Sequence, residues 1–292
     1  MLHWLSLCLI CVKWVVEMEF NHLRLAVVLA STMSFYSHAG EFRIEVGAFF
    51  SQADTSFGVT NPNTGNDYDL DFESDLNMSE RETLPYVLVG YDFNESHRVF
   101  LDWRSLHRSA TNEYVSKPFT IPGSDYEAQV GARIESTLNI DITRLGYAYK
   151  FYDGEDWDWE SLIGLHIMNL QTGFGGDLGY REDDSVNIVP INTKENSSIT
   201  APLPNIGLLG NYRVTDNWYV LGHAQLFGFS VEQVSGLLLD LSIGVEYEFN
   251  HQFGLAASYS YYEVNLDYGS DIADIDTKFK FFGPVVTLSY DF

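Results

Sequence analysis

Cysteine is nearly absent: the 292 residues include only Cys8 and Cys11, both within the first 39 positions. Beyond residue 39 no disulfide can form, which excludes a stapled scaffold. The run Leu5-Ser6-Leu7-Cys8 also lacks the small residue that a lipoprotein signal sets before its cysteine, so no lipid anchor is expected there. Basic residues are scarce, with 16 Lys and Arg against 41 Asp and Glu and a net charge of -25. Lys13 and Arg24 cancel Glu17 and Glu19, so the excess of acid lies in residues 40–292 and should repel nucleic acid. Long apolar runs are missing too. None reaches the roughly 20 residues of a spanning helix, and after Gly40 no stretch keeps a 3.6-residue apolar period.

What is present begins with a targeting segment. The apolar core Leu25-Ala-Val-Val-Leu-Ala30 follows His22 and Arg24 and precedes Ser37-His38-Ala39, the pattern of a signal peptide cleaved before Gly40. A second apolar run, residues 5–16, is broken by Lys13, and Met18 opens a more ordinary signal, so Met18 is the expected start. Residues 1–39 are therefore read as a signal peptide and 40–292 as one domain.

That domain alternates apolar and polar residues with period two about ten times, between connections that are in turn short and long. Strands are predicted at 41–51, 83–93, 98–107, 132–151, 159–171, 203–214, 218–230, 237–249, 253–264 and 278–292. In the clearest, Leu237, Leu239, Leu241, Ile243, Val245, Tyr247 and Phe249 share one face, while Asp240, Glu246 and Glu248 lie on the other. The last strand alternates Pro284, Val286, Leu288, Tyr290 and Phe292 against Val285, Thr287, Ser289 and Asp291. A terminal strand of this kind resembles the ending of Gram-negative outer-membrane β-barrels. The resemblance implies an all-β, transmembrane, antiparallel up-and-down barrel of about ten strands. It also implies that Tyr290 and Phe292 form the signal read by the barrel-assembly machinery.

The short turns near 94–97, 153–158, 215–217 and 250–252 would face the periplasm, each beside aromatics such as Tyr91, Phe93, Phe151, Trp159, Tyr212, Trp218, Phe249 and Phe253. These rings predict an interfacial girdle. The longer connections 52–82, 108–131, 172–202 and 265–277 would be extracellular loops. The fourth strand exceeds a span of roughly 9 to 11 residues. Its apolar phase changes from Ile134, Leu138, Ile140 and Ile142 to Leu145, Tyr147, Tyr149 and Phe151. Either a bulge near Thr143 or projection above the membrane would account for this. In the first loop Asp67, Asp69, Asp71, Glu73 and Asp75 alternate with Tyr68, Leu70 and Phe72, predicting a hairpin extension with a solvated acidic side. An EF-hand would need Gly and Glu where Phe72 and Met78 stand, so no metal site or cofactor is expected beyond weak divalent-cation bridging to lipopolysaccharide.

The inward face collects Arg43, Glu45, Asp102, Arg104, Arg144, Arg213, His223, Asp240 and Glu246, expected to form a charge network that fills the lumen. His166 and Glu160 belong to the same face. As a catalytic candidate only His223 stands out, with Asp240, Ser242, Ser258 and Ser260 on neighbouring strands. The omptin proteases, also ten-stranded, use paired aspartates and an Asp-x-His unit, and no Asp-x-His occurs here. Outer-membrane lipid A deacylases and phospholipase use a lipid-facing His and Ser, whereas His223 points inward.

The segments Ala201-Pro-Leu-Pro-Asn-Ile-Gly-Leu208, Trp218-Tyr-Val-Leu221, Gly244-Val-Glu-Tyr-Glu-Phe249, Leu145-Gly-Tyr-Ala-Tyr149, Asp71-Phe-Glu-Ser-Asp-Leu76 and Leu84-Pro-Tyr86 are similar to a widespread group of proteobacterial outer-membrane barrels. That resemblance covers most of 40–292, supports fold and outer-membrane location, and imports no catalytic residue. The expected role is a non-enzymatic one: envelope structure, surface binding or passage of a small solute. The alternatives are an outer-membrane hydrolase acting on lipid or peptide, and a narrow, cation-preferring, porin-like channel. A monomer in contact with membrane lipid and lipopolysaccharide is expected.

Overall fold

The structure, a computed structural model, describes residues 40–60, 67–116, 118–120, 126–182, 185–231, 234–269 and 274–292. The expected signal peptide and Met18 lie outside the described residues. Thirteen strands follow one another: β1 Glu41–Thr60, β2 Asp67–Asp71, β3 Arg81–Asn94, β4 His97–Asn112, β5 Phe119–Thr120, β6 Tyr126–Ala128, β7 Ile134–Asp153, β8 Trp157–Glu182, β9 Ser185–Arg213, β10 Trp218–Val231, β11 Val234–Asn250, β12 Phe253–Gly269 and β13 Asp274–Asp291. Three of these, β2, β5 and β6, are short additions near the outer rim. The other ten pair antiparallel with their sequence neighbours, and β1 pairs with β13, so the sheet closes into an up-and-down barrel. Closure reaches the chain end, where the Phe292 amide donates to the Phe42 carbonyl at 2.8 Å.

A closed barrel has no free edge, which is what lets strands cross a bilayer. The outward face of β1 shows the consequence: Phe42, Ile44, Val46, Ala48 and Phe50 alternate with inward Arg43, Glu45, Gly47 and Phe49. Those five outward positions cover about 26 Å of strand, comparable with the apolar band of such barrels. The periplasmic edge of the belt is set by rings in register across neighbouring strands. Phe42 meets Tyr91 at 4.6 Å, Trp157 meets Tyr212 at 4.4 Å, Trp218 meets Tyr247 at 4.9 Å and Phe253 meets Tyr290 at 4.7 Å. On β12 the belt ends at Tyr259, with Tyr261 and Glu263 beyond it.

Above the belt the strands continue and the barrel inverts its polarity. On β7 the residues Ile134, Leu138, Ile140 and Ile142 point inward and are buried, while Glu135, Asn139 and Asp141 lie on the outside. Below them Leu145, Tyr147 and Tyr149 point outward into the belt. The ladders of β7 with β4 and β8 run unbroken past Thr143, so the bulge considered there is absent. The phase of the strand stays constant. What changes is the solvent outside the wall, lipid below and water above, and the apolar residues change sides accordingly.

The long connections are therefore mostly strand. Residues 172–202, expected as a loop, form a hairpin in which Thr172 pairs with Ser197 and Glu182 with Ser185. Likewise β1 runs to Thr60, β4 to Asn112 and β12 to Gly269, raising a collar above the membrane. At the level where β1 and β13 lose register, Gly283 has φ of +152° and lies against the Phe50 carbonyl, where no Cβ could fit.

Candidate functional site

The lumen is built in tiers, because inward side chains at one height come from every strand. Nearest the periplasm, Arg43 gathers three carboxylates: Glu45 at 2.8 Å, Glu246 at 2.5 Å and Asp291 at 3.2 Å. Ser289 donates to Glu246 at 3.0 Å. Beside this cluster Arg98 binds Asp92 at 2.6 Å and approaches Glu160 at 3.8 Å.

Half-way up, four strands contribute a second cluster. Arg144 pairs with Asp102 across the β4–β7 ladder and reaches Asp240 at 3.2 Å, while Arg104 Nη2 is 3.5 Å and His223 Nε2 2.9 Å from the same carboxylate. Asp102 and Asp240 are fully buried. A neutral network completes the cross-section: Asn205 Nδ2 donates toward His166 Nε2 at 2.8 Å and Gln225 Oε1 at 2.5 Å, and His166 Nδ1 lies 3.3 Å from the Tyr262 hydroxyl. Replacing water by these partners is what permits charge at such depth.

The sequence-predicted lumen residues thus divide into two groups. Arg43, Glu45 and Glu246 form the lower one, and Asp102, Arg104, Arg144, His223 and Asp240 the upper. Arg213 belongs to neither. It is exposed at the strand end, where its guanidinium donates to the Glu155 carbonyl of the neighbouring turn. Alternation puts it on the inward face, but the barrel wall ends before that face encloses anything.

Above the charges comes an apolar tier of Phe49, Leu84, Leu106, Ile140, Ile142, Tyr262 and Phe281, which leaves a void of only about 10 Å³. That is at the lower limit for a single water. Higher still, residues 72–78 turn into the mouth and bury Phe72, Leu76 and Met78, with Phe72 packed on Phe174 at 6.4 Å between ring centres.

This segment corrects the expectation of a solvated acidic side. The Glu73 side chain is only 8% exposed, pairs with Arg108 and accepts from the Thr55 amide at 2.9 Å. Arg108 also donates to Thr55 Oγ1 at 2.7 Å and to the Ser79 carbonyl at 3.1 Å. Asp71 and Asp75 fold the turn: Asp75 accepts from the Asp71 amide and Asp71 from the Ser74 amide. Asp69 remains exposed on the β1–β2 hairpin, and the side chain of Asp67 lies outside the described residues. Arg108 was missed in the sequence because its partner comes from a connection rather than an adjacent strand.

Below the upper cluster lies an open cavity of about 340 Å³ facing the periplasmic end, with His223, Ser242, Ser258 and Ser260 on its wall. His223 hydrogen-bonds to Asp240, and no serine hydroxyl hydrogen-bonds to it among the described residues. Among those residues no three His, Cys, Asp or Glu side chains converge as a metal ion would require.

No protein-family model matches this chain, and no curated protein does. Solved structures do. The outer membrane protease OmpT of Escherichia coli aligns at 13% identity over 89% of this chain and 99% of its own, with a TM-score of 0.55. The toluene transporter TodX of Pseudomonas putida gives 12% identity, 90% and 92% coverage and a TM-score of 0.34. Ail, the attachment invasion locus protein of Yersinia pestis, gives 13%, 87% and 99%, and 0.33. At these identities the likeness is one of fold. With its ten paired strands and girdled apolar belt, the chain has the fold of the Gram-negative outer-membrane β-barrels.

Proposed function

We propose that this barrel neither conducts nor catalyses, and that it works through its projecting collar by binding at the cell surface. The observation that carries the reading is the apolar tier, in which Phe49, Leu84, Leu106, Ile140, Ile142, Tyr262 and Phe281 are all buried and border a void of about 10 Å³. Opening it would mean moving buried rings and separating the Asp240 ion pairs beneath them. Hydrolysis is disfavoured by the placement of His223, which is engaged by Asp240 behind a wall in which each of the ten strands hydrogen-bonds to its two neighbours.

The collar exterior carries Asp141 and Asp54 just above the apolar belt and Glu135 higher on β7, beside His107, Lys280 and Arg133 respectively. Lipopolysaccharide bridged by divalent cations is the partner this surface suits. Two measurements test the proposal. Vesicles carrying the folded protein should swell in a small sugar no faster than empty ones, and faster swelling would contradict closure. The same vesicles should bind immobilised lipopolysaccharide in magnesium and release it in chelator; chelator-insensitive binding, or none, would remove the bridging role.

A further inference from the structure

The seam between β1 and β13 is interrupted near the outer end of the apolar belt. The two strands pair at Phe49 with Val285 and at Gln52 with Phe282, while Phe50 and Ser51 have no ladder partner on β13. The opposing residues account for the gap. Pro284 has no amide proton to donate, and Gly283, at φ of +152°, has the Phe50 carbonyl where a Cβ would stand. Over this gap, on the outer side of the wall, lies a groove of about 370 Å³ bordered by Phe50, Tyr259, Phe282 and Pro284. Its β3 edge is formed by Thr83 and Arg81, the register partners of Phe50 and Gln52. Toward the belt the next outward positions are Ala48 and Ala257, small enough for an acyl chain to run on past them.

The cations at this boundary differ in what surrounds them. Lys280 pairs with Asp54 and is the register partner of Glu263, and Lys278 lies one outward step further from the belt. Arg81 is exposed, and no carboxylate pairs with it among the described residues. Glu82, which also borders the groove, alternates to the other face of β3. An apolar groove that ends beside an unpaired guanidinium, where the belt gives way to polar residues, suits a molecule with an acyl chain and one phosphate. A lipid with two phosphates, such as lipopolysaccharide, would set the second against the Asp54–Lys280 pair, which is already neutral. We propose that this groove binds a glycerophospholipid, with an acyl chain along Phe50, Pro284 and Tyr259 and the phosphate on Arg81. The assignment does not rest on the cation-bridged contact of the collar.

Native mass spectrometry of the folded protein released from non-ionic detergent tests this, with dimyristoyl phosphatidylglycerol as the probe and dimyristoylglycerol as its phosphate-free control. One phosphatidylglycerol should be retained, about tenfold or more tightly than the control. Arg81→Gln should weaken phosphatidylglycerol by about tenfold and leave the control unchanged, whereas Lys278→Gln, outside the groove, should alter neither. Tyr259→Ala should weaken both lipids. Heat-modifiable migration in gels establishes that each variant is folded, and if the alanine variant is not, the two glutamine variants decide. Lipopolysaccharide added at equal concentration in chelator should not displace the phospholipid, and displacement would give the groove to lipopolysaccharide and overturn the assignment. Equal retention of the two lipids, equal effects of Arg81→Gln and Lys278→Gln, undiminished binding by folded Tyr259→Ala, or no lipid on the folded wild type would each overturn it as well.

Discussion

Arg144 on β7 and Asp240 on β11 stand 96 residues apart and meet across the lumen at 3.2 Å. Because Asp240 also takes Arg104 and His223, three cationic or ionisable side chains depend on this carboxylate. Removing it leaves two buried guanidiniums with Asp102 alone between them. Asp240→Ala should therefore destabilise the barrel by about 3–5 kcal/mol, the usual cost of stranding a buried charge. Urea titration of the protein in lipid vesicles measures this. A change within about 0.5 kcal/mol, the range of an ordinary surface substitution, would mean the tier is solvated.

The segment at the outer mouth is held by two kinds of contact whose magnitudes can be compared. Burying Phe72, Leu76 and Met78 contributes about 1.5–3 kcal/mol each. The Glu73–Arg108 pair contributes little net, because its desolvation offsets its attraction. Leu76→Ala should thus cost about 2–5 kcal/mol. Glu73→Gln alone should also be costly, since it strands Arg108, whereas Glu73→Met with Arg108→Met should restore most of the loss. Limited proteolysis at residues 72–80 follows the local release, and a double variant as labile as the single one would refute the comparison.

The inversion of polarity along the wall has a direct test in paired lysine substitutions. Leu101 faces lipid mid-belt, so Leu101→Lys should cost about 2–4 kcal/mol of folding into vesicles. Asn139→Lys, on the outside of the collar, should change stability by less than about 0.5 kcal/mol. Similar costs at both sites would place Asn139 in the bilayer and remove the collar.

Just beyond the belt, Tyr261 donates its hydroxyl proton to Glu263, and this hydrogen bond pushes the phenol up to about 12. The neutral phenol is the form the folded state favours. Its contribution is present below the ordinary value of 10 and is lost as pH climbs through about 12. Ultraviolet difference titration against Tyr261→Phe should find the raised titration, and Glu263→Gln should return it to the ordinary range. An unaltered titration in that variant would exclude the contact.

Much of this was legible because lipid on the outside imposes strict alternation. The row from Leu237 to Phe249 can be read as a strand from sequence alone, since every second residue must be apolar and the lumen demands the opposite. The outer halves of β8 and β9 were read as loop because both faces there tolerate polar residues, and alternation fades without lipid. The phase change at Thr143 is visible in the sequence, yet a bulge and an inverted collar produce the same pattern, and it is the unbroken ladders of β7 that distinguish them. Pairs within adjacent strands, such as Asp102 with Arg144, follow from register. Glu73 with Arg108 does not, because the turn at Asp71 and Asp75 that swings Glu73 inward is built from local backbone hydrogen bonds with no periodic signature.

The central claim is that the barrel is sealed by its own interior, and single-channel recording in a planar bilayer tests it most directly. Residues 40–292 would be refolded, shown to be folded by heat-modifiable migration, and recorded across a range of salt. The account predicts no discrete conductance steps from demonstrably folded protein. Reproducible, salt-dependent steps would contradict it, and would mean that the tier of Phe49, Leu106, Ile140 and Phe281 opens in the membrane.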